Sequence, residues 1–137
     1  MIIDASVLLS AYFPDEAIPQ AQELVRRHLL GSVQLRAPHL LLYEVTNVIW
    51  QAERRKRITS EQGDRILHSI AGLSLKFYDT TAMDTLTLAR KYNCSAYDAA
   101  YLALAAHLKD NLITGDARLY QAVRSDFAWI TWVQDYE

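Results

Sequence analysis

Residues 95–116 read SAYDAAYLALAAHLKDNLITGD. Ser95 standing three residues before Asp98 is a helix-start signal. The Ala- and Leu-rich run over 96–109 then predicts a mostly buried helix. Directly behind it, 111–114 is a short apolar strand, with Asp116 two residues further on. A helix feeding straight into a buried strand is part of a crossover unit, and the same alternation fills the chain. Strands are predicted over 1–3, 33–37, 75–78, 111–114 and 129–133. Helices are predicted over 6–12, 19–30, 39–55, 60–73, 82–92, 96–109 and 117–123. Pro19 suits a first helical turn, and Thr59 and Thr81 stand three residues before Gln62 and Asp84. Strands separated by helices predict an α/β fold with a parallel sheet covered on both faces.

The 137 residues are 51% apolar and 22% charged, which predicts one globular domain over 1–137 with a full hydrophobic core. Cys94 is the sole cysteine, so an internal disulfide and a cysteine-based zinc cage are excluded. A net charge of −2 argues against nucleic-acid binding by bulk electrostatics, so an acidic partner must be met by a local basic patch or through metal ions. No basic and apolar leader precedes the first strand, and no uncharged stretch approaches the ~20 residues that span a bilayer. A cytoplasmic protein without membrane attachment is expected.

Four acids stand out. Asp4 ends the first strand and Asp116 follows the fourth, and in parallel α/β sheets ligands bind just beyond the carboxyl ends of the strands. In the helix over 39–55, Leu41, Leu42, Val45, Val48, Ile49 and Ala52 share one face, while Tyr43 and Trp50 lie on another. That helix is expected to be largely buried, with Glu44, Asn47 and Gln51 as its narrow polar stripe. Asp98 is the only acid in the first three turns of its own helix. Like charges ~5 Å apart repel by about 3 kcal/mol at an effective dielectric constant of 20. A hard divalent cation removes that cost, and such a site activates water and neutralises charge growing on a phosphodiester. Each acid also has a structural role open to it. Asp4 and Asp116 can cap the helices that follow, and Ser95 with Asp98 matches a capping box. Thr81 with Asp84 matches one too, and Asp84 shares a solvent-like face with Thr87 and Lys91. For Glu44 the structural alternative is an ion pair with Arg36 or Arg118.

Ile2-Ile3-Asp4-Ala-Ser6, Pro38-His-Leu-Leu-Leu-Tyr-Glu44-Val-Thr-Asn47-Val-Ile, Ser95-Ala-Tyr-Asp98-Ala-Ala-Tyr101-Leu-Ala-Leu-Ala-Ala and Leu112-Ile-Thr114-Gly-Asp116-Ala-Arg-Leu together resemble PIN-domain nucleases. The segments stand in family order and spacing, and the short format is most like the VapC-type toxins of toxin–antitoxin pairs. The resemblance implies a five-stranded parallel sheet and an endoribonuclease dependent on Mg²⁺ or Mn²⁺. It places Asp4, Glu44, Asp98 and Asp116 at the catalytic and metal-binding positions. Ser6 and Thr114 match hydroxyls that hydrogen-bond within the acidic site, and Asn47 matches a polar residue lining it. Where some relatives carry a further acid after Asp116, this chain has Leu119 and Tyr120. The implied reaction is hydrolysis by metal-activated water, leaving a 5′-phosphate and a 3′-hydroxyl. The implied partners are an RNA substrate, a small antitoxin protein and a second copy of the chain. The alternatives are a PIN nuclease of RNA processing or decay and a catalytically silent PIN-like binding module. A receiver-type switch would need paired acids after the first strand and a Lys after a late one. A haloacid-dehalogenase-like phosphatase would need an acid where Ser6 stands.

Arg118, two residues after Asp116, either meets a substrate phosphate or has a plain surface role. Arg54-Arg55-Lys56-Arg57 either contacts RNA or an antitoxin, or is a solvated helix end complementing the dipole. His28, His39, His68 and His107 show no metal-ligand spacing and are expected to be structural. Trp129 and Trp132 offer aromatic surface for a dimer contact.

Overall fold

Each apolar run of the sequence forms a short parallel strand, and each longer pattern forms a helix. The computed structural model describes residues 1–137. Its elements are β1 (Ile2–Ile3), α1 (Ala5–Tyr12), α2 (Pro19–Leu29), β2 (Arg36–Ala37), α3 (Leu40–Arg54), α4 (Ser60–Ala71), β3 (Lys76–Phe77), α5 (Ala82–Tyr92), α6 (Ala96–Leu108), β4 (Leu112–Thr114), α7 (Ala117–Val123) and β5 (Ile130–Trp132), followed by a 3₁₀ turn over Val133–Asp135.

The five strands form one sheet in the order β3-β2-β1-β4-β5, and every pairing is parallel. Ile2 lies opposite Leu112 and Ile3 opposite Ile113, so Asp4 emerges level with Thr114. The chain leaves β1 toward β2 and β3, then crosses back to lay β4 on the other side of β1. That reversal opens a crevice beyond the carboxyl ends of β1 and β4.

The capping signals form where the sequence puts them. Thr59 and Gln62 make a reciprocal capping box on α4, with the Thr59 hydroxyl accepting from the Gln62 amide and the Gln62 side chain accepting from the Thr59 amide. The Thr81 and Ser95 hydroxyls accept from the amides of Asp84 and Asp98. Each such cap stabilises its helix by about 1 kcal/mol. The sheet residues Ile2, Ile3, Leu112 and Ile113 are fully buried, and Leu8, Leu24, Leu41, Ile70, Leu102 and Leu104 pack toward the same core from five helices.

One expectation about packing fails. Helix α3 is buried along one face only, through Leu41, Val45, Ile49 and Ala52, while Tyr43 is 81% and Trp50 54% exposed. Apolar composition over most of a helix's circumference did not bring coverage on most of it. Part of that outer face is shielded by side chains of the helix itself, the Arg54 guanidinium lying 5.9 Å from the Trp50 ring centre.

Candidate active site

Asp4 is the innermost acid of the crevice. It follows β1 directly and caps α1, taking the Val7 amide at 3.3 Å on Oδ1. The Ser6 hydroxyl donates to the same oxygen, and the Thr114 hydroxyl donates to Oδ2. Both hydroxyls are themselves fixed by backbone at the end of β4. Ser6 Oγ accepts from the Gly115 amide at 2.8 Å, and Thr114 Oγ1 accepts from the Asp116 amide at 3.0 Å. A Cβ on Gly115 would stand 3.2 Å from Ser6 Oγ, so glycine lets the strand end draw this near. Burial pushes the Asp4 carboxyl up to about 6 in spite of its three donors, and the nearby Asp116 charge pushes the same way.

Asp116 caps α7, accepting from the Leu119 amide at 3.1 Å. Asp98 sits in the first turn of α6, partly buried. Its carboxyl is raised by burial and by the Asp116 charge, against the pull of Arg118. Arg118 approaches it at 3.6 Å but is 85% exposed, so the pair is worth less than about 1 kcal/mol. Glu44, one turn into α3, is raised first by burial and further by the Asp98 charge. The four carboxylates thus form a linked set: the Asp116 charge acts on Asp4 and Asp98, and the Asp98 charge acts on Glu44.

The capping roles and the shared site coexist, since Asp4 and Asp116 cap helices with one oxygen while their charges meet. The ion pair considered for Glu44 does not form. Arg36 reaches Asp110 at the opposite edge of the sheet, and Arg118 leans on Asp98. Glu44 instead accepts a hydrogen bond of 2.5 Å from the buried Tyr101 hydroxyl. Sequence reasoning gave Tyr101 no role, although a phenol inside a buried apolar run must place its hydroxyl somewhere. Asn47 stands one turn beyond Glu44 and is exposed. Asp84 lies on the solvent side of α5, as expected.

Of the basic run, Arg57 is engaged by Asp15 at 2.7 Å and Glu16 at 3.0 Å and covers the Phe13 ring, which ties the α3–α4 turn to the end of α1. His28 is structural, its Nε2 2.6 Å from the Leu73 carbonyl and its Nδ1 accepting from the Leu35 amide. His39 pairs with Asp79 at 2.7 Å. Trp132 packs at 5.6 Å against Tyr120, and Trp129 is 37% exposed.

The donor chemistry fits a hard divalent cation, because the crevice offers carboxylate and hydroxyl oxygens and too little positive charge to balance them. No three acidic, histidine or cysteine side chains converge closely enough to form a ready-made ligand cage. A small cavity of about 140 Å³ adjoins the acids, lined in part by Cys94, Ser95, Asp98 and Arg118.

The sequence matches the PIN domain family over residues 1–124. It is 30% identical to Ribonuclease VapC3 of Pyrobaculum aerophilum, across 87% of this chain and 91% of that one. It is 32% identical to Ribonuclease VapC9 of Mycobacterium tuberculosis, across 87% of each. The crystal structure of PAE2754 from Pyrobaculum aerophilum has the same fold, with a TM-score of 0.74, 22% identity and coverage of 97% of this chain and 90% of that one. An acidic crevice at the reversal point of a five-stranded parallel sheet, together with these likenesses, makes the chain a member of the PIN-domain family, homologous to the VapC ribonucleases.

Proposed function

We propose that this chain is a metal-dependent endoribonuclease and the toxin of a type II toxin–antitoxin pair. The observation that carries the catalytic part is the linked set of Asp4, Glu44, Asp98 and Asp116, faced by Arg118 as its only ion-pairing cation. A buried or half-buried acidic set without counter-ions destabilises a fold unless it has a ligand to meet. Asp4, Glu44, Asp98 and Asp116 would hold Mg²⁺ or Mn²⁺. When bound, the cation lowers the pKa of water and neutralises charge on the phosphodiester.

The chain's own contribution is positional. Ser6, Thr114 and the Val7 amide fix Asp4, so the innermost ligand does not rearrange when substrate arrives. Arg118 is exposed enough to leave Asp98 and meet a backbone phosphate, and Asn47 lines the approach beside Glu44. Water attacks phosphorus, and the P–O3′ bond breaks to leave a 5′-phosphate and a 3′-hydroxyl. VapC relatives of similar length support the toxin assignment, and with it a small antitoxin as partner and a cytoplasmic setting. No helix is long and apolar enough to cross a membrane. Exposed Tyr43, Trp50, Met83 and Tyr97 leave apolar surface for a protein partner, which supports a homodimer built from single-domain chains.

Incubating purified protein with total cellular RNA, with and without Mg²⁺, followed by end mapping, tests the activity. Discrete cuts with 5′-phosphate ends only in the presence of metal are expected. RNA left intact under both conditions refutes it. Light scattering at micromolar concentration should give twice the chain mass.

A further inference from the structure

Glu44 differs from the other acids of the crevice in how it is held. Asp4 and Asp116 follow strand ends and are fixed by backbone amides, and Asp98 sits in the first turn of a helix whose cap locks its own amide. Glu44 lies in the middle of the first half of α3, on a longer side chain with three rotatable bonds, and no cation or backbone amide reaches it. Its one hydrogen bond comes from Tyr101, on a different helix. Tyr101 is 2% exposed, so its ring is fixed by packing and the direction of its hydroxyl is fixed with it. It stands three residues after Asp98 on α6, so both project from one side of that helix toward the crevice.

We infer that Tyr101 is a positioning residue of the metal site, donating its hydroxyl proton to Glu44 and so joining the carboxylate of α3 to the acids carried by α6 and the strand ends. The inference rests on the metal-dependent reading of the crevice. The phenol touches neither substrate nor cation. It holds one ligand in place from the neighbouring helix. A hydroxyl on a rigid ring is well suited to this, because it has a single torsion to fix and one proton to give. Partners that orient a ligand in this way typically govern metal affinity or activity by 10–100-fold.

The test is Mn²⁺ binding to metal-stripped full-length protein, followed by calorimetry and by loss of the free Mn²⁺ electron paramagnetic resonance signal. Four proteins are compared: wild type, Tyr101→Phe, Glu44→Gln and the double variant. Tyr101→Phe keeps the ring and its packing, and circular dichroism checks that the fold is retained. It is expected to weaken Mn²⁺ binding by roughly 10-fold. In the Glu44→Gln background the same change should alter binding by less than about twofold, because the group it acts through no longer carries the charge. Wild-type affinity in Tyr101→Phe, alongside weakened binding in Glu44→Gln, would overturn the inference and leave the metal site standing. Losses that add independently would also overturn it, since Tyr101 would then act by another route. Absence of Mn²⁺ binding by the wild type would instead refute the metal-dependent function itself, and the inference with it.

Discussion

At the leading edge of the sheet, Asp110 takes the Met1 ammonium at 2.8 Å and the Arg36 guanidinium at 3.2 Å. At the trailing edge, Asp4 takes two hydroxyls and an amide, and the charge that acts on it is that of another carboxylate, Asp116. The two acids stand at opposite ends of the same central strands, in a protein with nearly balanced charge. Cations were available, and they are placed where an acid serves the fold. The crevice has only Arg118, at 3.6 Å and mostly in solvent. The contrast separates an acid that holds strands together from acids that keep their charge available.

The widest separation is expected in activity. Asp98→Asn keeps the shape of the side chain and the Ser95 cap on its amide, but removes the charge. RNA cleavage should fall to background with the circular dichroism spectrum unchanged. Asp84→Asn, at the matching first-turn position of α5, should be silent. Cleavage by Asp98→Asn at the wild-type rate would reduce Asp98 to a structural first-turn residue.

The next effect concerns pH. Asp4 has a folded pKa of about 6, above its value in an unfolded chain, so between about pH 4 and 6 the native state binds more protons. Stability of the metal-free protein should therefore rise as pH falls through that window, and be lost again as pH climbs. The shift corresponds to about 3 kcal/mol. Glu44 and Asp98, also raised, act in the same direction. Below pH 4 the trend should reverse, because Asp15, Glu23 and Asp79 are held low by Arg57, by Arg26 with Arg27, and by His39. Urea melts at several pH values check this, and Asp4→Asn should flatten the upper window.

Asp110→Asn probes the other edge. Losing the charge that faces two cations should destabilise the fold by about 1–2 kcal/mol, with the response to Mn²⁺ unchanged. An altered metal response would show that the two edges are not independent.

The smallest effect belongs to Glu44→Gln. The amide oxygen can still accept from Tyr101, so the hydrogen bond survives while a half-buried charge disappears. The metal-free variant should melt slightly higher, and gain less on adding Mn²⁺. A clear fall in melting temperature would mean that Glu44 serves the fold.

The alternation of short apolar runs with helical patterns was enough to derive the parallel sheet, because its central strands β1 and β4 are buried throughout and so have no polar side to confuse with a loop. The caps at Thr59, Thr81 and Ser95 were equally legible, since each depends on two residues at fixed spacing. Two things were not. The exposure of Tyr43 and Trp50 was hidden because sequence reports what a helix could bury, whereas coverage depends on how many neighbours arrive. The tie between Tyr101 and Glu44 joins residues 57 positions apart on separate helices, a distance at which no local spacing rule operates. Asp4 and Asp116 were ambiguous between cap and site, and the fold gives them both roles at once.

The hydrogen bonds around Asp4 also have a direction. Besides the Val7 amide, which donates directly, two chains begin at a backbone amide, at Gly115 or Asp116, pass through a single hydroxyl, and end on the carboxylate. A hydroxyl has one proton to give, and here both protons point at Asp4. For Asp4 to accept a proton and pass it along either path, that hydroxyl would have to turn its own hydrogen toward an amide hydrogen. Neither chain can run backward without setting two donors face to face. Asp4 is thus a terminus for both chains, and in the proposed hydrolysis a proton taken from an attacking water would not be relayed onward through Ser6 or Thr114.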